Sequence, residues 1–149
     1  MKYKTFILIG SPGSGKGTHG VVFGKMLNYY HCSSGEMFRS MDPNSETGKT
    51  VRGYTTRGEL VPDELTIRLW QEFMEKKIAE KAFNPKTDFL VLDGIPRNVN
   101  QAKILKKNLN VLKVINLVCK DRAQLLLRFQ KRAREEGRPD DANEEIINR

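Results

Sequence analysis

The apolar run Phe6-Ile7-Leu8-Ile9 leads straight into Gly10-Ser11-Pro12-Gly13-Ser14-Gly15-Lys16-Gly17-Thr18, and no other feature limits the fold as tightly. A short, continuously apolar run reads as a strand buried on both faces, the kind found in parallel sheets covered by helices. Glycines let the backbone adopt left-handed angles and come close to an oxyanion. Successive N–H groups and the positive end of the following helix then point at one phosphate. Lys16 adds a full charge at the lip of this cradle. Gly10, four residues, Gly15 and Lys16 follow the phosphate-loop spacing, with one offset: Gly17 follows the lysine, and the hydroxyl comes one residue later at Thr18. Gly13, Ser14, Gly15, Lys16, Gly17 and Thr18 are the candidate phosphate-binding residues.

The rest of the chain alternates strands with helices. A strand is expected over Thr5–Ile9 and a helix from Lys16 to about Tyr30, with Val22, Phe23, Met26, Leu27 and Tyr30 as its apolar stripe. His31-Cys32-Ser33 reads as a short second strand, Ser34-Gly35-Glu36 as a turn and helix start, and the stretch to Gly58 as a polar, glycine-punctuated insertion. Pro62, Asp63 and Glu64 suit a helix start, and that helix should run to about Lys81 on a buried stripe of Leu65, Leu69, Trp70, Phe73 and Met74. Phe89-Leu90-Val91-Leu92 has the profile of a central parallel strand, delivering Asp93 to the carboxyl edge of the sheet. A fourth strand is expected over Val111–Val118. Asp121 should cap a helix to about Arg134, and a charged loop over Glu135–Asn143 leads to a last helix. The expected fold class is α/β, a parallel sheet of the P-loop NTPase type flanked by helices and built on right-handed crossovers.

Composition removes several alternatives. A chain of 149 residues can bury a core without disulfides or a structural metal, and no stretch approaches the roughly 20 apolar residues of a membrane span. The start Met1-Lys2-Tyr3-Lys4 leaves no room for a cleaved signal peptide, so a cytoplasmic location is expected. Cys32 and Cys119 lack Cys-x-x-Cys partners; they read as buried strand thiols, and no zinc is expected. A net charge of +8 calls for polyanionic partners. With no aromatic stacking clusters or zinc-finger spacing, nucleotides are favoured over nucleic acid, and neither nucleic acid nor membrane is an expected partner.

Asp93 is placed like a Walker B carboxylate that could hold Mg2+ through a bound water. The sequence Asp93-Gly94-Ile95-Pro96 lacks the Asp-x-x-Gly switch of GTPases, and the chain has no Asn-Lys-x-Asp motif. The phosphate loop belongs to another branch.

Five ordered segments resemble the adenylate kinase family of nucleoside monophosphate kinases. They are Gly10 to Thr18, Cys32 to Arg39, Gly58-Glu59-Leu60-Val61-Pro62-Asp63, Asp93-Gly94-Ile95-Pro96-Arg97, and the group Arg132, Gly137-Arg138-Pro139-Asp140-Asp141 and Arg149. The resemblance implies a single P-loop kinase domain over residues 1–149, with its core at 1–30, 60–130 and 142–149. A small helical monophosphate-binding insertion would occupy about 31–59 and a short lid about 131–141. It implies transfer of the γ-phosphoryl group of ATP to AMP with Mg2+, by a monomer. ATP would be held by Gly13, Ser14, Gly15, Lys16, Gly17, Thr18, Arg128 and Arg132. AMP would be held by Ser34, Arg39, Leu60, Val61, Gly94, Arg97, Gln101, Arg138 and Arg149. The catalytic set would be Lys16, Arg39, Arg97, Arg132, Arg138 and Arg149, with Asp140 and Asp141 orienting the lid arginines.

The residue types agree with that chemistry. Bringing two polyanions together requires their repulsion to be cancelled, and arginine does this with a planar, permanently charged group that pairs bidentately with phosphate. Arg128, one helical turn before Arg132, would stack on the donor's adenine. Gln101 can donate to and accept from an adenine edge, which favours AMP, and Ser34 stands where threonine is common in the family. His19, Glu36 and Ile95 depart from the family's usual Gln, Asp and aromatic residue without removing a phosphate contact. The sequence stops at Arg149 inside a charged helix, whereas the family continues through another strand, a base-contacting loop and a closing helix; truncation is expected. A noncatalytic or weakly active nucleotide-binding fragment, a kinase for UMP or CMP, and a basic nucleic-acid-binding protein are the alternatives.

Overall fold

Four strands pair in parallel in the order β2-β3-β1-β4: β1 (Tyr3–Ile9), β2 (Tyr29–Ser33), β3 (Phe89–Asp93) and β4 (Leu109–Asn116). The computed structural model describes residues 2–136. Its helices are α1 (Lys16–Gly24), α2 (Ser34–Arg39), α3 (Glu46–Thr56), α4 (Asp63–Ala79), α5 (Val99–Leu105) and α6 (Arg122–Glu136). The expected α/β parallel sheet is what the chain forms. Leu90, Val91 and Leu92 of β3 are fully buried, as an apolar run in a central parallel strand should be.

On one face of the sheet, Leu90 and Leu92 join Trp70 and Met74 of α4, Phe83, Ile95 and Leu105 in the main core. Tyr3 meets Trp70 and Phe83 edge-on, at ring-centroid distances of 6.1 and 5.5 Å. On the other face, Phe6, Tyr29 and Phe89 form an aromatic layer that reaches Phe23 of α1. The expected stripe of α4 is largely observed. Leu69, Trp70 and Met74 are buried and Leu65 and Phe73 are partly so, while Ile67 and Thr66 are buried as well. Pro62 precedes the first turn instead of occupying it, and Asp63 and Glu64 stand at the positive end of the helix.

Several expectations need correction. The first helix ends at Gly24, well short of Tyr30, and the chain turns through Asn28 (φ 62°) to begin β2 at Tyr29. Val22, Met26 and Leu27 are exposed, so their helical spacing was no sign of burial. The insertion is helical as expected and contains α3, whose N-cap Ser45 accepts a 3.0 Å hydrogen bond from Gly48 N. A further helix, α5, is capped by Asn98, which accepts from Gln101 N at 2.8 Å. Gly48 and Gly53 inside α3 lower its helix propensity without preventing the helix. Asp121 does cap α6, its Oδ1 accepting from Ala123 N and Gln124 N at 2.9 and 3.2 Å.

The cysteines also divide. Cys32 is buried on β2, whereas Cys119 is partly exposed and lies beyond the end of β4, correcting the reading of both as buried strand thiols. Burial pushes the Cys32 thiol up to about 12. Because the thiolate is the nucleophile, a thiol reagent at pH 8 should modify Cys119 rapidly in the native protein and Cys32 only after unfolding. Mass mapping after a short pulse checks this, and equal labelling of both would contradict it. Among the described residues no helix is long and apolar enough to cross a membrane.

Candidate active site

The glycine loop leaves the end of β1 and closes on the start of α1. Gly10, Gly13 and Gly15 take φ of 143°, 74° and 100°, a region that favours glycine. At Gly10 a Cβ would also overlap the carbonyl oxygen of Leu117. Lys16 spans this loop: its Nζ donates to the carbonyl oxygens of Gly10 and Ser11 at 2.8 and 2.9 Å. Ser14 Oγ is buried without a hydrogen-bond partner. Gly17 and Thr18 form the first turn of α1, where backbone N–H groups lack helical acceptors.

Partial burial lowers the pKa of Lys16; the nearby Asp93 carboxylate raises it, and Arg97 and Arg132 lower it again. One ammonium therefore senses the carboxyl end of β3, the loop after it and helix α6. Arg128, also on α6, donates from Nη1 to the carbonyl oxygen of Gly13 at 3.1 Å, which places this candidate base-stacking residue against the glycine loop.

Asp93 closes β3 and is buried. A Cβ on Gly17 would lie 3.9 Å from its Oδ2, so the carboxylate stands beside the first turn of α1. On its other side His31 Nε2 approaches Oδ2 at 3.7 Å and makes no hydrogen bond. The His31 ring occupies the space where a Cβ on Gly20 would sit. Sequence reasoning passed over His31. Its neighbour Cys32 on β2 points into the core, so strand alternation would have turned His31 toward the helix.

Of the candidate acceptor-side residues, Ser34, Gly94 and Arg97 meet at the neighbouring strand ends. Ser34 begins α2 and is buried, and its Oγ donates to the carbonyl oxygen of Gly94 at 3.0 Å. Gly94 has φ 77°, and a Cβ there would overlap Ser34 Oγ. Arg97 Nε donates to the same carbonyl at 2.9 Å, so one backbone oxygen gathers Ser34 and Arg97. Arg39, at the end of α2, lies over Gly35, where a Cβ would stand 2.9 Å from Arg39 Nη1. Leu60 is exposed and Val61 buried in the connection between α3 and α4. Gln101 is only 2% exposed; its Oε1 accepts from Arg97 N and its Nε2 donates to Asp63 Oδ1, both at 2.8 Å. Asp63 was read as a helix-start residue and Asn98 was given no role, and their bonds to Gln101 were not anticipated. Arg138, Asp140, Asp141 and Arg149 lie outside the described residues. Among the described residues no group of three or more His, Cys, Asp or Glu side chains is arranged to hold a metal ion.

A family model described as adenylate kinase matches residues 8–149. The adenylate kinase of Borrelia turicatae (strain 91E135) is 40% identical over 127 residues, covering 85% of this chain and 57% of that protein. That of Parabacteroides distasonis is 35% identical over 149 residues, covering 96% of this chain and 74% of its own. That of Streptomyces coelicolor is 41% identical over 100 residues, covering 66% and 43%. The chain spans about half the length of several curated relatives it matches. With the glycine loop, the Asp93–Arg97 segment and α4 in place on a parallel sheet, and a family match reaching from β1 to residue 149, the chain belongs to the adenylate kinase family.

Proposed function

We propose that this chain carries the core of a phosphotransferase that moves the γ-phosphoryl group of ATP to AMP, giving two ADP. The observation that carries the reading is the glycine loop spanned by Lys16 and set beside the Asp93 carboxylate, with Ser34 and Arg97 gathered on the Gly94 carbonyl oxygen directly after it. A phosphate oxygen of AMP attacks the γ-phosphorus, the bond to the β–γ bridging oxygen breaks, and that oxygen leaves on ADP. The acceptor is already anionic, so no general base is needed, and catalysis is positional and electrostatic.

Gly13, Ser14, Gly15, Gly17 and Thr18 hold the donor phosphates in this reading, and the unpartnered Ser14 hydroxyl is a group that a bound anion would satisfy. Lys16 exchanges its two carbonyl partners for phosphate oxygens and follows the transferred group. Arg128 and Arg132 serve the donor side. Ser34, Arg39, Leu60, Val61, Gly94, Arg97 and Gln101 serve the acceptor, and Arg138 and Arg149 complete the arginine set. The buried Asp93 carboxylate beside the start of α1 and the Thr18 hydroxyl are hard oxygen donors. They fit Mg2+ held mainly by phosphate oxygens and water, which needs no larger protein ligand cluster. When bound, Mg2+ would neutralise developing phosphate charge.

Incubation with ATP, Mg2+ and each of AMP, UMP, CMP and GMP tests the reading, followed by diphosphate formation. Turnover with AMP well above the others is expected. ATP binding without turnover of any acceptor would instead favour the noncatalytic nucleotide-binding fragment.

A further inference from the structure

We propose that Asp63 is a specificity-positioning residue: by fixing which way round the Gln101 amide sits, it makes the acceptor site take a 6-aminopurine monophosphate and reject its 6-oxo counterpart. This rests on the reading above that Gln101 faces the acceptor base. The amide is held at both ends, with Oε1 accepting from Arg97 N and Nε2 donating to Asp63 Oδ1, each at 2.8 Å. Turning it by 180° would set its oxygen against a carboxylate and its NH2 against the Arg97 N–H. Both contacts become repulsive at once, at an amide that is only 2% exposed.

Asp63 is itself fixed. Its Oδ1 also accepts from Asn98 Nδ2 and its Oδ2 from Asn100 Nδ2, both at 2.8 Å. Asn98 in turn caps α5 at the Gln101 N–H, so the start of α4 is tied to the start of α5 around this one carboxylate. These amide donors, Asn100 first, hold its pKa below the usual carboxylate range, and Asp63 is an acceptor only at neutral pH.

A primary amide offers two N–H donors and two oxygen lone pairs, so one of each remains for a ligand after the two bonds above. Their order is set by Asp63. The adenine edge presents an N6–H donor beside the N1 acceptor, and hypoxanthine presents the reverse, an O6 acceptor beside an N1–H donor. A locked amide pairs with one of these edges, whereas an amide free to flip pairs with either.

The test compares AMP and IMP on the chain and its Asp63→Ala variant, by calorimetric affinity and by kcat/KM with ATP. The original protein is expected to prefer AMP by about 100-fold or more, as sites built on buried polar pairing do. In Asp63→Ala the preference should fall about tenfold, through weaker AMP and tighter IMP binding, with KM for ATP unchanged. Tighter IMP binding is the decisive readout, since general damage to the site would weaken both ligands. Asp63→Glu should restore much of the preference. If Asp63→Ala does not fold, Asp63→Ser, too short to reach Gln101, takes its place. The Gln101 side-chain NH2 resonances read the lock without any nucleotide: separate and sharp in the original protein, exchange-broadened in the variant. An unchanged AMP-to-IMP ratio or an unchanged NH2 pair in a folded variant overturns the proposal. Failure of the original protein to bind AMP, with the NH2 signature intact, overturns the acceptor reading and leaves Asp63 as an amide anchor without a specificity role.

Discussion

Lys16→Met should lower phosphoryl transfer from ATP by about 100- to 1000-fold while the protein remains folded, because it removes a charge aimed where negative charge must move. The stem of methionine can follow the same path as that of lysine, so what is lost is the ammonium and its bonds to the Gly10 and Ser11 carbonyl oxygens. Those bonds join parts of one loop, and burial already works against the charged form of Lys16. The variant should therefore melt close to the original protein. The loss should appear in kcat more than in KM for AMP, since the bonds that join Ser34, Gly94 and Arg97, where the proposed reading seats the acceptor, are untouched. A coupled assay at saturating ATP and AMP, run beside a thermal melt, decides the matter. A folded variant that keeps near-normal turnover would remove Lys16 from the chemistry.

Trp70→Ala should produce the largest stability loss of any single truncation, about 3–5 kcal/mol, measured as a shift in the urea midpoint at unchanged slope. Trp70 is 1% exposed and packs into the core cluster that includes Cys32 of β2 and Leu90 and Leu92 of β3. Its indole N–H makes no conventional hydrogen bond and lies against the Cys32 sulfur, a weak acceptor, so most of its contribution is packing. Tyr3 abuts its edge and would lose a wall of its own pocket. The hole joins α4 to β1 and cannot close without moving strands. A loss under about 1 kcal/mol would mean that the helix collapses onto the sheet and fills it.

Much of this was legible in the chain because a short strand followed by glycines and a lysine allows few arrangements. β1, the loop and β3 with Asp93 were read from local pattern, since a continuously apolar run bounded by turn residues has one comfortable place in a covered parallel sheet. The errors came where tertiary contact outweighs periodicity. Val22, Met26 and Leu27 keep helical spacing yet lie in the open, while Gly20 and Gly24 carry the contact of α1 with His31. Apolar spacing cannot reveal a helix seated through its glycines. α5 was hidden by its shortness, and the telling signal was its cap, Asn98. The partnership of Asp63 with Gln101 spans 38 residues, and no local pattern carries it.

The pairing of Leu8 with Asp93 and of Asp93 with Ser33 acts as a ruler for the whole site. If β3 slipped by one residue against β1, Asp93 would move about 3.3 Å along the strand and its side chain would change face. It would lose its place beside α1 and enter an apolar interior where its charge has no partner. The phosphate loop would stay where it is, because it hangs from β1. The distance between cradle and carboxylate is therefore graduated in whole strand residues. Leu90, Val91 and Leu92, none of which faces a nucleotide, hold that scale at its mark.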